Sequence, residues 1–421
     1  MTTAFVIRDY PDLDHIIPII YKFLLKKKEI VIINFEINLN IHEDFRIKFL
    51  ESNFKQVKII SIYSYLKNGL IRNLLSKIFS YRNFEVNFKN LKFIKNTNLS
   101  LINFLFISLL KKLFFSKSIQ LERFVYNKNL IIKILKELNI KLLLMDDSLF
   151  WSYDKGKKLA AACQESNIRV DLFPHTCFIF DAEEESNIIS SNNLKNFYPN
   201  LITNSIYHKN KVIKCGLSPD KIFILGSGRF SPEWLDKLKV ITNCKEKNIN
   251  KKLEVLIFEG VYNNQILEKK LIESISKIQN INLTVKVHPR GKFSNNQKNY
   301  QSNNSFILDF DTPSTNSIFN SDIIIGTFSS VLLDAFILNK AVIFPEFLCD
   351  PKKIDILYKD YNFTINCKKI EDVIKSIENF DNGNFQIDKK NRDRFMQDFA
   401  YGNNSEYDIL NDYINFFEKK L

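Results

Sequence analysis

Short β-branched apolar runs recur from one end of the 421-residue chain to the other, each closed by a turn and followed by a helical stretch. Ala4–Ile7, Glu29–Phe35, Lys141–Met145, Arg169–Phe173, Lys221–Leu225, Leu253–Phe258, Leu283–Val287, Asp322–Ile325 and Ala341–Phe344 are such runs. Continuous Val/Ile/Leu strands that alternate with helices are buried on both faces, which is the pattern of a parallel sheet covered by helices. The spacing therefore predicts an α/β chain built of doubly wound parallel sheets. A chain of 421 residues exceeds one ordinary core, so two such domains are expected.

Two of the strand ends carry chemistry. Leu283-Thr284-Val285-Lys286-Val287 runs into His288-Pro289-Arg290, which puts an imidazole in a stiffened loop at a strand's carboxyl end. Asp322–Ile325 runs into Gly326-Thr327-Phe328-Ser329-Ser330 and then an apolar helix over residues 331–338. A helix that begins near the two serines offers hydroxyls and backbone N–H groups to an anion. A histidine and a serine pair on neighbouring strand ends suit a phosphate-containing ligand on an open α/β sheet. Glu259-Gly260 ends another strand, where a glycine lets a ligand approach the backbone. Gly226-Ser227-Gly228-Arg229 does likewise, without the full dinucleotide-binding spacing. Asp309, Asp311 and Thr312 lie between the two main motifs, within reach of a ribose or base.

Charge and cysteine content narrow the partners. The net charge of +13 asks for an acidic partner. No zinc-finger spacing, aromatic RNA-binding motif or arginine-rich arm is present, so nucleic acid is not expected. Cys163, Cys177, Cys215, Cys244, Cys349 and Cys367 form no CxxC pairs, which fits reduced structural thiols and a cytoplasmic setting and argues against a metal site. Neither a signal peptide nor an uninterrupted spanning run is read from the sequence. Residues 65–128 hold two apolar yet basic stretches, around residues 70–79 and 99–115. They are expected either to cover the first sheet or to lie peripherally on the cytoplasmic face of an inner membrane.

The segments "KVHPR" and "GTFSSVLLDAFILNKAVIF" resemble the HP and S/SS motifs of bacterial GT-B transferases that make surface polysaccharides. Sialyltransferases, capsule Kdo transferases and CDP-glycerol glycerophosphotransferases belong to that group. The resemblance implies two Rossmann-like domains facing a cleft. It places an acceptor-binding domain over residues 1–230, a linker over 231–252, a nucleotide-sugar-binding domain over 253–392, and a C-terminal helix over 393–421 that returns to the first domain. It further implies a nucleotide-sugar co-substrate, no other cofactor and no metal, and an anionic glycan or glycolipid acceptor. The donor expected is a CMP-linked acidic sugar such as a sialic acid-like nonulosonate or Kdo. A CDP-glycerol or CDP-ribitol phosphotransferase, a nucleotide-sugar 2-epimerase and a non-catalytic assembly scaffold remain alternatives.

Transfer from such a donor needs the leaving phosphate stabilised and the acceptor hydroxyl deprotonated. His288, protonated, is the first choice for the leaving phosphate, with Gly228, Glu259, Gly260, Pro289, Arg290, Asp311, Thr327, Ser329 and Ser330 as the other donor-binding candidates. The base is expected among Asp12, Asp14, Asp147 and His175, with Arg8, His15 and Asp146 beside the acceptor. Two departures from the motifs stand out: Thr176 follows His175, and Ser148 follows Asp146-Asp147, where the related motifs have glycine.

Overall fold

The computed structural model describes residues 2–35, 39–65, 128–152, 154–174, 180–181, 198–242, 252–260, 263–288, 306–327, 329–349, 355–381, 387–402 and 408–419. The two basic apolar stretches and most of the segment before residue 198 lie outside them. Contacts divide the chain into two compact units, Met1–His175 with Lys195–Ile202, and Thr176–Leu194 with Thr203–Leu421.

The first sheet alternates strands and helices as the sequence predicts: β1 (Thr2–Ile7), α1 (Tyr10–Leu25), β2 (Ile30–Asn34), α2 (Phe45–Asn53), β3 (Val57–Ser61), α3 (Lys128–Glu137) and β4 (Ile140–Asp146). It continues through α4 (Asp147–Ser152), α5 (Asp154–Glu165), β5 (Arg169–Phe173), β7 (Asn200–Thr203), α6 (Ile206–Lys214) and β8 (Ile222–Ile224). Strand order is β3-β2-β1-β4-β5-β7-β8, with parallel pairing of β1 to both β2 and β4. Every residue of β1 and β2 is buried, as strands covered on both faces require.

Helix α1 starts at an extended Asp9, whose side chain caps it while Asp12 at N3 reaches back, a reciprocal capping box. The cap falls at Asp9 because Pro11 sits in the first turn, where a missing N–H costs nothing. Strand β3 and helix α2 carry no expectation from the sequence, since β3 is five residues long with Lys58 inside it and the apolar residues of α2 mark no single face.

The second sheet follows α7 (Pro232–Ile241), which occupies the first half of the expected linker, capped by the Ser231 hydroxyl accepting from Trp234 N–H at 3.2 Å. Its elements are β9 (Leu253–Phe258), α8 (Gln265–Ile275), β10 (Ile281–Lys286), β11 (Phe306–Asp309), α9 (Ser314–Phe319), β12 (Ile323–Ile325), α10 (Leu332–Ile337), β13 (Ala341–Pro345), β15 (Ile365–Cys367) and α11 (Ile370–Asp381). Strand order is β11-β10-β9-β12-β13-β15, again parallel. A separate two-residue pairing joins β6 (Phe180–Asp181) antiparallel to β14 (Asp355–Ile356). Val255, Ile257, Leu283, Val285, Ile323, Ile325 and Ile343 form one continuous aliphatic core with Leu271, Ile272 and Ile275 of α8.

The chain ends in α12 (Lys389–Phe399) and α13 (Ile409–Lys419), the helices expected over the last thirty residues. They pack on the segment around β8. Phe416 meets Phe223 at 4.9 Å, Phe399 meets Tyr207 at 5.1 Å, and the Tyr413 hydroxyl donates to the Gly226 carbonyl at 2.9 Å. Gly226 has φ +80°, and a β-carbon there would lie 2.8 Å from the Tyr401 carbonyl oxygen, so only glycine allows this approach. Cys163 and Cys367 are buried, and burial pushes the Cys163 thiol up to about 12.

Candidate functional site

Both sheets have the same order, with the first strand of each flanked by the second on one side and the fourth on the other. The reversal point falls between β1 and β4 in one sheet and between β9 and β12 in the other. Ligands of open α/β sheets bind at the carboxyl ends of the strands at such a point. Arg8, Asp12 and Asp146 fall there in the first sheet, and Glu259, Gly260 and Thr327 in the second.

At the ends of β1 and β4, Arg8 is the centre of a partly buried network. Its backbone N–H donates to Asp12 Oδ2 at 2.8 Å, its guanidinium to Asp12 Oδ1 at 3.2 Å and to Ser148 Oγ at 2.8 Å. Ser148 in turn donates through its backbone N–H and its hydroxyl to Asp146 Oδ1, the first at 2.8 Å. Ser148 is thus the residue that sequence reading missed, and it stands where the related motif has glycine. The structure brings Arg8, Asp12 and Asp146 together. Asp14 instead forms an ion pair with Arg46 of α2, which also holds Asp44. His15 is buried, and Asp147 is the first residue of α4. His175 lies outside the described residues.

At the ends of β9, β10 and β12 a second network ties three loops. Glu259 Oε2 accepts the His288 backbone N–H at 3.0 Å, fixing the start of the HP loop. Gly260 N–H and the Asn263 amide both donate to Glu268 Oε1, at 3.0 and 2.6 Å. Asn263 Oδ1 accepts the Thr327 hydroxyl at 2.7 Å, and the Tyr358 hydroxyl donates to the Thr327 carbonyl at 2.9 Å. Gly260 is glycine for a local reason: a β-carbon there would stand 2.2 Å from the Asn263 amide nitrogen. Burial pushes the Glu268 carboxyl up to about 7, and the neighbouring Glu259 adds to that rise against the two hydrogen bonds.

The serine pair stands directly before a short helix. Helix α10 is six residues long and its cap position, Val331, is itself helical with no side-chain cap. The N–H groups of Leu332, Leu333 and Asp334 donate to the carbonyls of Ser329, Ser330 and Val331 at 3.0, 3.1 and 3.1 Å. The first three N–H groups of the helix thus bond back into the turn that carries the serines. What the pair presents is hydroxyls on two partly exposed residues beside Thr327. Pro289 and Arg290 lie outside the described residues, and Asp311 is exposed.

Two further pairings were not foreseen. Asp309, expected near a ribose, accepts from Lys286 Nζ at 3.2 Å, Thr312 N–H at 3.0 Å and Ser317 Oγ at 2.9 Å, bonds that together hold its carboxyl below the usual range against burial. Arg229, next to Gly228, forms a buried ion pair with Asp334 of α10, with Nε to Oδ1 at 3.2 Å. A lone acid in the apolar run Val331–Leu338 was the sequence signal for a buried cation partner. Among the described residues no group of three His, Cys, Asp or Glu side chains could hold a metal, and no helix is long and apolar enough to cross a membrane.

The fold is that of the two-domain GT-B class: two Rossmann-like parallel sheets of seven and six strands. Residues 256–407, which include the three networked strand ends of the second sheet, match the family model of the CDP-glycerol:poly(glycerophosphate) glycerophosphotransferases. No curated protein matches by sequence. Among solved structures, a UDP-N-acetylglucosamine 2-epimerase from Rickettsia bellii aligns over 100% of this chain and 96% of its own, at 14% identity and a TM-score of 0.57. HepE of Anabaena, solved with UDP and glucose, aligns over 100% of both chains at 12% identity and a TM-score of 0.54. A glycosyltransferase from Rickettsia africae covers 99% of this chain and 98% of its own, at 12% identity and 0.50. At such identities the likeness is one of fold.

Proposed function

We propose that the protein is a transferase that moves a group from a cytidine nucleotide-activated donor to a surface glycan or lipid-linked acceptor. The observation that carries this reading is the convergence of Glu259, His288, Thr327, Ser329 and Ser330 at the reversal point of the second sheet, within the segment that matches a CDP-glycerol transferase model. His288, when protonated, supplies positive charge to the leaving phosphate, and the serine hydroxyls donate to its oxygens. The Arg8–Asp12–Ser148–Asp146 network orients the acceptor, with a carboxylate or His175 as base.

Two donors fit this reading. A CMP-linked acidic sugar, such as a nonulosonate or Kdo, reacts at carbon, and a CDP-linked alcohol reacts at phosphorus. The match over residues 256–407 favours the second. The acceptor, and a peripheral position on the cytoplasmic face of the inner membrane, rest on the net charge of +13 and the basic stretches.

The test is a thermal-shift panel of CMP, CDP, UDP, GDP and ADP on the wild type and His288→Ala. A nucleotide at 100 times its Kd stabilises by about 2.7 kcal/mol, a shift of a few degrees. The expected result is a cytidine-selective shift that shrinks in the variant. No response to any nucleotide overturns the transferase reading. Phosphorus-31 spectra of the product then separate the donors, because only the CDP-alcohol route leaves phosphorus on the acceptor.

A further inference from the structure

A cavity of about 280 Å³ opens at the carboxyl ends of β2 and β3, away from the strand ends of β1 and β4 that carry Arg8 and Asp146. Asn34 and Ser61, the last residues of the two strands, are partners in the parallel register, and both line it. Each ends a strand that is otherwise mostly aliphatic. Asn40 and His42 contribute further polar groups, and Ile59 and Ile60 belong to an apolar wall.

Hydrogen bonds hold the wall in shape. Asn34 Nδ2 donates to the Leu39 carbonyl at 2.7 Å, Asn40 Nδ2 to Glu43 Oε1 at 2.7 Å, and the Tyr10 hydroxyl to the Asn40 carbonyl at 3.2 Å.

Size and charge both restrict the occupant. Drug-sized ligands take pockets of roughly 300–1,000 Å³, so this one suits a single ring rather than a whole nucleotide sugar. Among the described residues no lysine or arginine lines it, and the His42 imidazole already faces the Glu51 carboxylate at 2.9 Å. A phosphate would find no cation to offset the loss of its hydration. The Ser61 hydroxyl can donate and accept, the Asn40 amide oxygen can accept, and the isoleucines offer a surface for C–H faces. That combination matches a neutral, polyhydroxylated ring.

We propose that this cavity binds one neutral sugar unit, and that in turnover the unit belongs to the acceptor. The second half of the statement rests on the transferase reading; the first does not. The experiment is saturation-transfer NMR with methyl glycosides of glucose, galactose and N-acetylglucosamine, with inorganic phosphate as the anionic control. It is run on the wild type and on Ser61→Leu, which fills the cavity. Asn40→Ala, on an exposed loop residue, replaces that variant if it does not fold.

The expected result is sugar binding by the wild type, weakened about fivefold or more in the variant, as loss of one hydrogen bond predicts. The cytidine-induced thermal shift stays unchanged. Equal sugar signals in wild type and variant, no sugar signal, or phosphate in place of sugar overturns the proposal. Sugar binding lost in the variant, with no nucleotide response in either protein, upholds the cavity and sinks the transferase reading instead.

Discussion

Glu268 is a buried carboxyl whose two hydrogen bonds are both accepted by the same oxygen. Its folded pKa lies near 7 against an ordinary value near 4.5, mainly because burial penalises the charge. The folded state therefore keeps a proton that the unfolded chain loses, and this contribution is full below about 4.5 and lost as pH rises through about 7. The loss is roughly 3 kcal/mol at 1.36 per pH unit. Glu268→Gln keeps a carbonyl for both bonds and has no charge to bury. Melting curves from pH 5 to 8 should fall less steeply for the variant than for the wild type; parallel curves would show that Glu268 is ionised throughout. His208 acts with the opposite sign. Burial, helped by Lys211, takes its imidazole down to about 3, so its contribution is present above about 6.5 and lost as pH falls.

At the level of elements, helix α10 carries the load of the second sheet's site. Its Asp334 holds Arg229, both almost fully buried, and its Phe336 meets Tyr358 at 5.3 Å, Phe363 at 4.8 Å and Phe395 of α12 at 5.9 Å. Tyr358 in turn bonds the Thr327 carbonyl, so the aromatic cluster and the motif loop are one assembly. Asp334→Ala leaves a buried guanidinium without its carboxylate, which costs about 3–5 kcal/mol. Arg229→Met with Asp334→Leu removes both charges and should recover most of that loss. Urea denaturation of the two variants decides it, and an Asp334→Ala midpoint close to wild type would mean that the pair is solvated. Glu259 and Asn263 act between elements in the same manner, each tying the end of β9 to a neighbouring loop.

Over the whole molecule, the excess of positive charge has a measurable consequence. A chain of net charge +13 should sediment with anionic phospholipid vesicles at low salt and leave them near 1 M salt, where screening acts within about 3 Å. Reversing Lys111, Lys112 and Lys117 should abolish the low-salt binding. Retention of the triple variant on the vesicles would assign the attraction to other lysines. Two sheets of the same strand order put two strand-end sites on one chain, one with Arg8 at its centre and one with His288. That duplication is absent from the sequence as a repeat.

The sequence alone determined the α/β class, the second sheet from Leu253 onward, and the strand-end positions of His288, Thr327 and the serines, because buried parallel strands are continuous apolar runs whose ends are chemically marked. It missed β3 and α2, of whose residues only Ile60 in the strand and Arg46, Ile47 and Leu50 in the helix are buried. Only the tertiary structure decided that Asp14 pairs with Arg46, that Asp309 serves Lys286, and that Arg229 pairs with Asp334. The partners of Glu268 and Asp334 were likewise invisible. A buried carboxyl's role is set by which donors the fold brings within about 3 Å, and that distance is not written in residue spacing.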